Sequence, residues 1–199
     1  MITDHFKDRA KEWDKGEIRV NGAKVIADSI KAKFLLDSTM NIMDFGVGTG
    51  LLGFEIAQKV KHVLGIDTSS KMLEKLQEKN TAQLSIEPLC QDIVAKPLTQ
   101  KFDGIVSSMT LHHVENLKLF FEIIYKNLND NGFIAIADLE TEDGTFHSDN
   151  TGVFHFGFDA EELCKIVKNT GFKDVSFENI NTINKPHRDF GVSLLSARK

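Results

Sequence analysis

Ile42-Met43-Asp44-Phe45-Gly46-Val47-Gly48-Thr49-Gly50-Leu51 is the stretch on which the fold turns. It reads as a short buried strand ending in an acid, then glycines at alternate positions, then a helix start. Glycine gives up the most backbone entropy on ordering, so it is favoured where φ must be positive or a partner must approach the main chain closely. The helix that follows carries the apolar residues Leu51, Leu52, Phe54, Ile56 and Ala57. Two readings fit this setting: a ligand lying against bare backbone, or a tight strand-to-helix turn that binds nothing. The strand before and the helix after favour the ligand.

Size and composition bound the answer. A chain of 199 residues is long enough for one domain with a substantial core and short for two. No repeat, low-complexity tract or proline-rich linker divides it, so residues 1–199 read as a single domain, with 1–38 as a helical segment ahead of the sheet. A net charge of −5 argues against nucleic acid or an anionic membrane as partner, since both need a basic footprint. The 15 Phe read mainly as core. Cys90 and Cys164 have neither metal nor redox spacing and read as free thiols. There is no apolar run of about 18 residues and no secretory h-region at the start, so a cytoplasmic location is expected.

Along the chain, Phe6, Ala10 and Trp13 recur at helical spacing, and Ile18, Val25, Ile26 and Ile30 continue the pattern. Strands and helices alternate from Ile42 onward. A second strand, residues 62–66, ends at Asp67, and Thr68, Ser69 and Ser70 offer hydroxyls to cap the helix bearing Met72, Leu73 and Leu76. Residues 84–89 read as a third strand, at an edge because of Pro88, and 103–107 as a fourth. Leu117, Phe120, Phe121, Ile124 and Leu128 predict a helix stopped by Asn131-Gly132. Residues 133–137 read as a strand covered on both faces. A last helix opens at Asp159, with Glu162 placed for a capping box and Phe158 and Leu163 for a staple, and closes at Gly171. Residues 175–183 and 190–197 both read as strands. The few residues between them allow a hairpin but no parallel crossover, so the final strand should run antiparallel.

The glycine spacing narrows the ligand. A dinucleotide fingerprint places its third glycine three residues after the second, where this chain has Leu51. Asp44-x-Gly46-x-Gly48-x-Gly50 instead resembles the cofactor loop of class I S-adenosylmethionine-dependent methyltransferases. The reversed last strand is also their topology. Phe6-x-x-x-Ala10-x-x-Trp13-Asp14 and Leu111-His112-His113-Val114 resemble further segments of the same class. The resemblance runs from Phe6 to the terminal strand. It implies an α/β fold: a Rossmann-like, seven-stranded, mostly parallel sheet of order 3-2-1-4-5-7-6 with helices on both faces.

Site residues follow. In open α/β sheets ligands lie beyond the carboxyl ends of the strands. Asp67 at such an end can accept hydrogen bonds from both ribose hydroxyls, the alternative being helix capping. The resemblance places Gly46, Val47, Gly48, Gly50 and Asp44 in the cofactor loop with Thr68 beside it. It sets Asp92 against the adenine amino group, Ile93 and Met72 on the ring faces, Ser107 near the methionine moiety and Trp13 over the pocket as part of a lid. Arg19 is a candidate for the methionine carboxylate. Core packing remains open for Met72.

The long connection 140–158 is rich in Gly, His, Asp and Phe, as working loops often are. Glu140, His147 and His155 there could reach a substrate, or the loop could simply be solvated. His112, His113, His147 and His155 are the candidate general bases. His112 and His113 are adjacent and point apart, and no spacing suggests a metal site. The function implied is methyl transfer from S-adenosylmethionine to a small-molecule acceptor, leaving S-adenosylhomocysteine, by a monomer or homodimer. The alternatives are a non-catalytic S-adenosylmethionine-binding module and, with less support, a nucleotide-dependent oxidoreductase.

Overall fold

The computed structural model describes residues 10–199, so Phe6 lies outside the described residues. A short 3-10 helix, Ala10–Lys15, leads into helix α1, Glu17–Lys33. Strands and helices then alternate: β1 (Asn41–Phe45), α2 (Leu51–Ala57), β2 (His62–Asp67), α3 (Ser70–Lys79), β3 (Glu87–Cys90) and β4 (Phe102–Ser108). After them come α4 (Leu117–Lys126), β5 (Leu128–Leu139), α5 (Ala160–Asn169), β6 (Lys173–Lys185) and β7 (Arg188–Arg198). The strands form one seven-stranded sheet in the order β3-β2-β1-β4-β5-β7-β6. Neighbours from β3 across to β5 pair parallel, and β7 runs antiparallel to both β5 and β6.

Alternation along each strand sends side chains to two cores. Ile42, Val106, Phe133 and Ala135 join α1, α2 and α3 on one face, through residues such as Ile30, Ile56 and Leu76. Met43, Ile105, Ile134 and Ile136 join α4 and α5 on the other, through Phe120, Phe121 and Val167. Each fully buried side chain of this size contributes about 1.5–3 kcal/mol. The sheet is covered on both faces, which is why its inner strands are nearly continuous in apolar residues.

The structure differs from the sequence expectation at three boundaries. Helix α4 ends at Lys126 with Asn127 as its cap, not at Asn131-Gly132. The Asn127 side chain donates to the carbonyls of Leu98 and Gln100, and Leu128 already pairs with Phe102 in the sheet. Asn131, at φ 64°, sits in an irregularity of β5. Strand β3 is also shorter than expected, because Asn80 rather than a neighbouring strand hydrogen-bonds both backbone groups of Ile86. The hairpin is tighter: β6 and β7 extend until only Pro186 and His187 separate them.

At α5 the Asp159 carboxylate accepts from the amides of Glu161 and Glu162, Phe158 and Leu163 are buried, and Gly171 follows with φ 109°. Asp159→Ala should therefore cost about 1 kcal/mol, the usual worth of an N-cap. Urea unfolding should show a lower midpoint with an unchanged slope.

Candidate active site

The turn after β1 is built by its neighbours. The amides of Gly46 and Val47 both donate to the Ile66 carbonyl at the end of β2, which pulls the loop across the sheet edge. Gly46 has φ 70°, and a Cβ there would lie 2.2 Å from the Thr110 side chain. Gly48, at φ 54°, is different: a Cβ would meet nothing within 4 Å. Its bare face opens on a cleft of about 1450 Å³ running along the carboxyl ends of β1, β2, β4 and β5.

Asp67 joins two loops. Its Oδ2 accepts from the Gly48 amide and its Oδ1 from the Ser69 amide, both at 2.8 Å. Ser69 in turn caps α3 by accepting from the Met72 amide. Asp44, one strand over, is 1% exposed, and its Oδ2 has no hydrogen-bond partner among the described residues. Burial, and then the charge of Asp67, lift the Asp44 pKa well above the carboxylate range, with the Gly53 amide offsetting part of the rise. Thr68, Met72 and Asp92 also face this end of the cleft. Asp92 is held by the amides of Val94 and Ala95, which bond its Oδ1.

Trp13 lines the cleft, with the Arg19 guanidinium 4.5 Å from its ring centroid and bonded to its carbonyl. Asp14 anchors this segment: it accepts from the Thr49 hydroxyl in the glycine loop and pairs with Lys79 of α3 at 2.6 Å.

Three cofactor candidates are placed elsewhere. Gly50 does not line the cleft: with φ 88° it turns the chain into α2, and a Cβ there would meet the Phe54 ring at 2.9 Å. Ile93 is 1% exposed in the core with Met43 and Leu64 and does not line the cleft, where Val94 stands instead. Ser107 is fully buried and donates to the Phe45 carbonyl, and it is Ser108 that reaches the cleft. For Ser107 the side chain next in sequence points the opposite way along the extended strand, whereas Ile93 and Val94 lie in the turn after β3.

Three of the four candidate histidines cluster on the cleft wall, and the His112 and His113 rings lie 4.1 Å apart instead of pointing apart. His112 is 1% exposed and its Nδ1 lies 2.7 Å from Asp138 Oδ1. Asp138 Oδ2 accepts from the His112 amide as well. Burial works to raise the Asp138 pKa, but the imidazole and the amides of Leu139 and His112 outweigh it and hold the carboxyl below its usual value. An ionised carboxylate only accepts, so Nδ1 carries the proton and Nε2 presents a lone pair. That Nε2 is buried and unpartnered among the described residues, on a ring that lines the cleft.

His113 gives its Nδ1 to the Gly152 carbonyl, and His147 packs 4.9 Å from the His112 ring. His155 does not line the cleft: its Nε2 donates to the Val114 carbonyl, and the ring packs against Phe158. Glu140 is spent on Asn179 and Ser193, tying β5 to the hairpin. Among the described residues no group of three or more His, Cys, Asp or Glu is placed to hold a metal ion. Asp138 was missed by sequence reasoning, although an acid inside the apolar run of β5 was a signal. Asp14 stood in the opening motif with no role assigned to it, and Lys185 carried no signal.

The comparisons with known proteins follow the geometry. A model of the methyltransferase-domain family matches residues 36–170, more than half of the chain. An uncharacterized methyltransferase of Schizosaccharomyces pombe is 29% identical over 170 residues, covering 76% of this chain and 58% of that protein. The chain thus spans little more than half of that relative's length. Among solved structures, phosphoethanolamine N-methyltransferase 2 of Haemonchus contortus, in complex with S-adenosyl-L-methionine, superposes with a TM-score of 0.74 at 18% identity, over 100% of this chain and 60% of its own. An S-adenosylmethionine-dependent methyltransferase from Mesorhizobium loti gives 0.69 at 19% identity, over 90% and 100%. By its sequence match and its sheet, this chain belongs to the methyltransferase-domain family and has the class I S-adenosylmethionine-dependent methyltransferase fold.

Proposed function

We propose that the chain moves the methyl group of S-adenosylmethionine to a small-molecule acceptor and releases S-adenosylhomocysteine. The observation that carries this is the pairing of a side-chain-free crevice at Gly48 with the Asp67 carboxylate fixed beside it. The residues present fit the cofactor. Asp67 has the lone pairs to accept from ribose hydroxyls, and Asp92 can take the adenine amino group with Met72 and Val94 against the ring. Asp44, whose Oδ2 is buried without a partner among the described residues, suits a cationic ligand, since a positive charge there favours the ionised carboxylate that burial and Asp67 disfavour. The cofactor supplies an electrophilic methyl on a positively charged sulfur.

The protein's part is alignment, exclusion of water and, for an acceptor that must lose a proton, a base. His112 is placed for the last role, with Asp138 fixing its tautomer and stabilising the imidazolium once Nε2 takes the proton. This pair favours an enzyme over a module that only binds the cofactor. Family membership and the Leu51 that ends the glycine loop set aside the oxidoreductase alternative. Of the 1–38 segment ahead of the sheet, α1 packs into the core, and the described residues before it, 10–16, serve as the lid over one methyltransferase domain, with Trp13 above the crevice and Asp14 as its latch. Arg19 is there for the methionine carboxylate.

Isothermal titration should show one S-adenosylhomocysteine site per chain. Asp67→Ala should weaken it about 100-fold, from the loss of two charge-assisted hydrogen bonds. Undiminished affinity would overturn the assignment of the crevice. Asp14→Ala should weaken binding by only about fivefold, mostly by faster dissociation, as stopped-flow release would show. With a pool of small metabolites as acceptors, His112→Gln should lower S-adenosylhomocysteine production about 10²-fold or more without changing cofactor affinity. Asp138→Asn should follow it and move the acid limb of the pH–rate profile. An equal loss of cofactor binding in these variants would mark the pair as merely structural.

A further inference from the structure

Beyond His112 the cleft ends in bases and a cation that methyl transfer as described does not use. His147, in the connection after β5, packs edge-on against Phe146 at 4.8 Å between ring centroids. It lies 4.9 Å from the His112 ring and 6.1 Å from that of His113. Its Nε2 is buried and, like that of His112, has no hydrogen-bond partner among the described residues. Lys185, the last residue of β6, holds its ammonium 4.0 Å from the centre of the Phe146 ring and donates to the Phe146 carbonyl. Both side chains line the cleft.

An ammonium has three donors, and the one carbonyl does not exhaust them. The acids near this cluster have other engagements. Asp138 serves His112. Glu142 accepts from the amides of Thr145 and Phe146 through Oε2, while its Oε1 is buried without a partner among the described residues. Burial lowers the Lys185 pKa, and the Glu142 charge offsets part of that. Asp149, on the cleft wall, accepts from the amide and hydroxyl of Thr151. The electrostatic result is legible at His147. Burial, and then the positive charges of His112, His113 and Lys185, push its pKa down to about 4 against a smaller pull from Asp138. A half-buried imidazole beside the Lys185 ammonium is where an incoming negative charge gains most.

We infer that the acceptor carries an oxyanion, a carboxylate or phosphate group, and that Lys185 and His147 hold it beside His112. The inference rests on the methyl-transfer reading only in calling this ligand the acceptor. The His147 and His112 rings are neighbours, so the oxyanion and the atom that accepts the methyl group are a few bonds apart. Binding is linked to protons. An anion at Lys185 opposes the charges that depress His147, so His147 titrates higher in the complex than in the free protein. The complex therefore takes up a proton at pH values between the free and bound pKa of His147, and affinity falls as pH rises through the bound value.

The test is calorimetric titration of the protein, with and without saturating S-adenosylhomocysteine, using inorganic phosphate and acetate as probes. Runs with acetate at about pH 6, where acetate is ionised and phosphate still titrates, in two buffers of different ionisation enthalpy give the proton count, and NMR of the His147 ring gives its titration. The expected result is saturable binding of one probe, proton uptake and an upward move of the His147 titration. Lys185→Met and His147→Phe should each weaken the probe about tenfold while leaving S-adenosylhomocysteine affinity unchanged, which also shows that they fold. Lys185→Arg should retain binding. Tighter phosphate points to a phosphomonoester acceptor, tighter acetate to a carboxylic acid. No saturable binding of either probe, or binding unaltered in both variants, overturns the inference. If S-adenosylhomocysteine fails to bind but a probe succeeds, the methyl-transfer reading falls and the oxyanion subsite stands.

Discussion

One carboxylate holds the cleft open. Asp67 reaches from the end of β2 to the Gly48 amide on one side and the Ser69 amide on the other. Those amides belong to the loops after β1 and β2, so a single side chain sets their separation. The loop after β1 can accept this arrangement only because its turn residues are glycines with positive φ, which costs other residues strain. Ser69, positioned by the same contact, starts α3 and so places Met72 on the cleft wall. Bonds from Asp67 to main-chain amides resist rotation better than contacts between side chains would, which suits the ribose-binding role proposed for it.

The charges of the cleft are sorted along its length. Asp44, Asp67 and Asp92 stand at the ends of β1, β2 and β3; His112, His147 and Lys185 lie past β4 and β5. Asp67 on β2 and Asp138 on β5 are three strand positions apart, about 14 Å at the usual strand spacing. The two buried acids, Asp44 and Asp138, show how this matters. Asp138 has an imidazole and two amides and stays ionised, whereas Asp44 has an acid for a neighbour and a pKa raised by burial. A cationic donor group at one end and an anionic acceptor at the other would each lower the energy of the fold that receives it. The field also opposes the reversed orientation, in which both ligands would meet like charge.

The sheet order was readable from the chain because its signals are periodic and local: apolar runs, caps at Ser69 and Asp159, and a connection between the last strands too short for a crossover. The α4–β5 boundary was not readable, because Leu128 continues the helical spacing of Ile124 and yet is buried as a strand residue. Side-chain direction was the other weak point. A shift of one residue along a strand turns a side chain to the opposite face, which is enough to separate Ser107 from Ser108. Past the end of β3 it is the turn closed by Asp92 that puts Val94, and not Ile93, on the cleft wall. Asp138 and Lys185 are far apart in sequence. Lys185 lines the cleft and Asp138 stands behind the His112 ring, and the connection carrying Phe146 and His147 bridges the two; nothing in the local pattern of either strand announces that.

The segment proposed as a lid is tied down with a strength that suits its role. Asp14 links a hydroxyl of the glycine loop to the ammonium of Lys79, and the side chains of that ion pair are 38% and 33% exposed. Exposed pairs of this kind are worth about 0.2–1 kcal/mol, so the latch biases the closed position without locking it. A buried, fully desolvated pair would hold the segment too firmly for product to leave at a useful rate. Thr49, 1% exposed, is the fixed half of the latch, and Asp14 is the half that can be released to water. Closure is then reported to the glycine loop itself, because Thr49 sits between Gly48 and Gly50. Anything that displaces the loop from Asp67 also withdraws the hydroxyl that Asp14 needs.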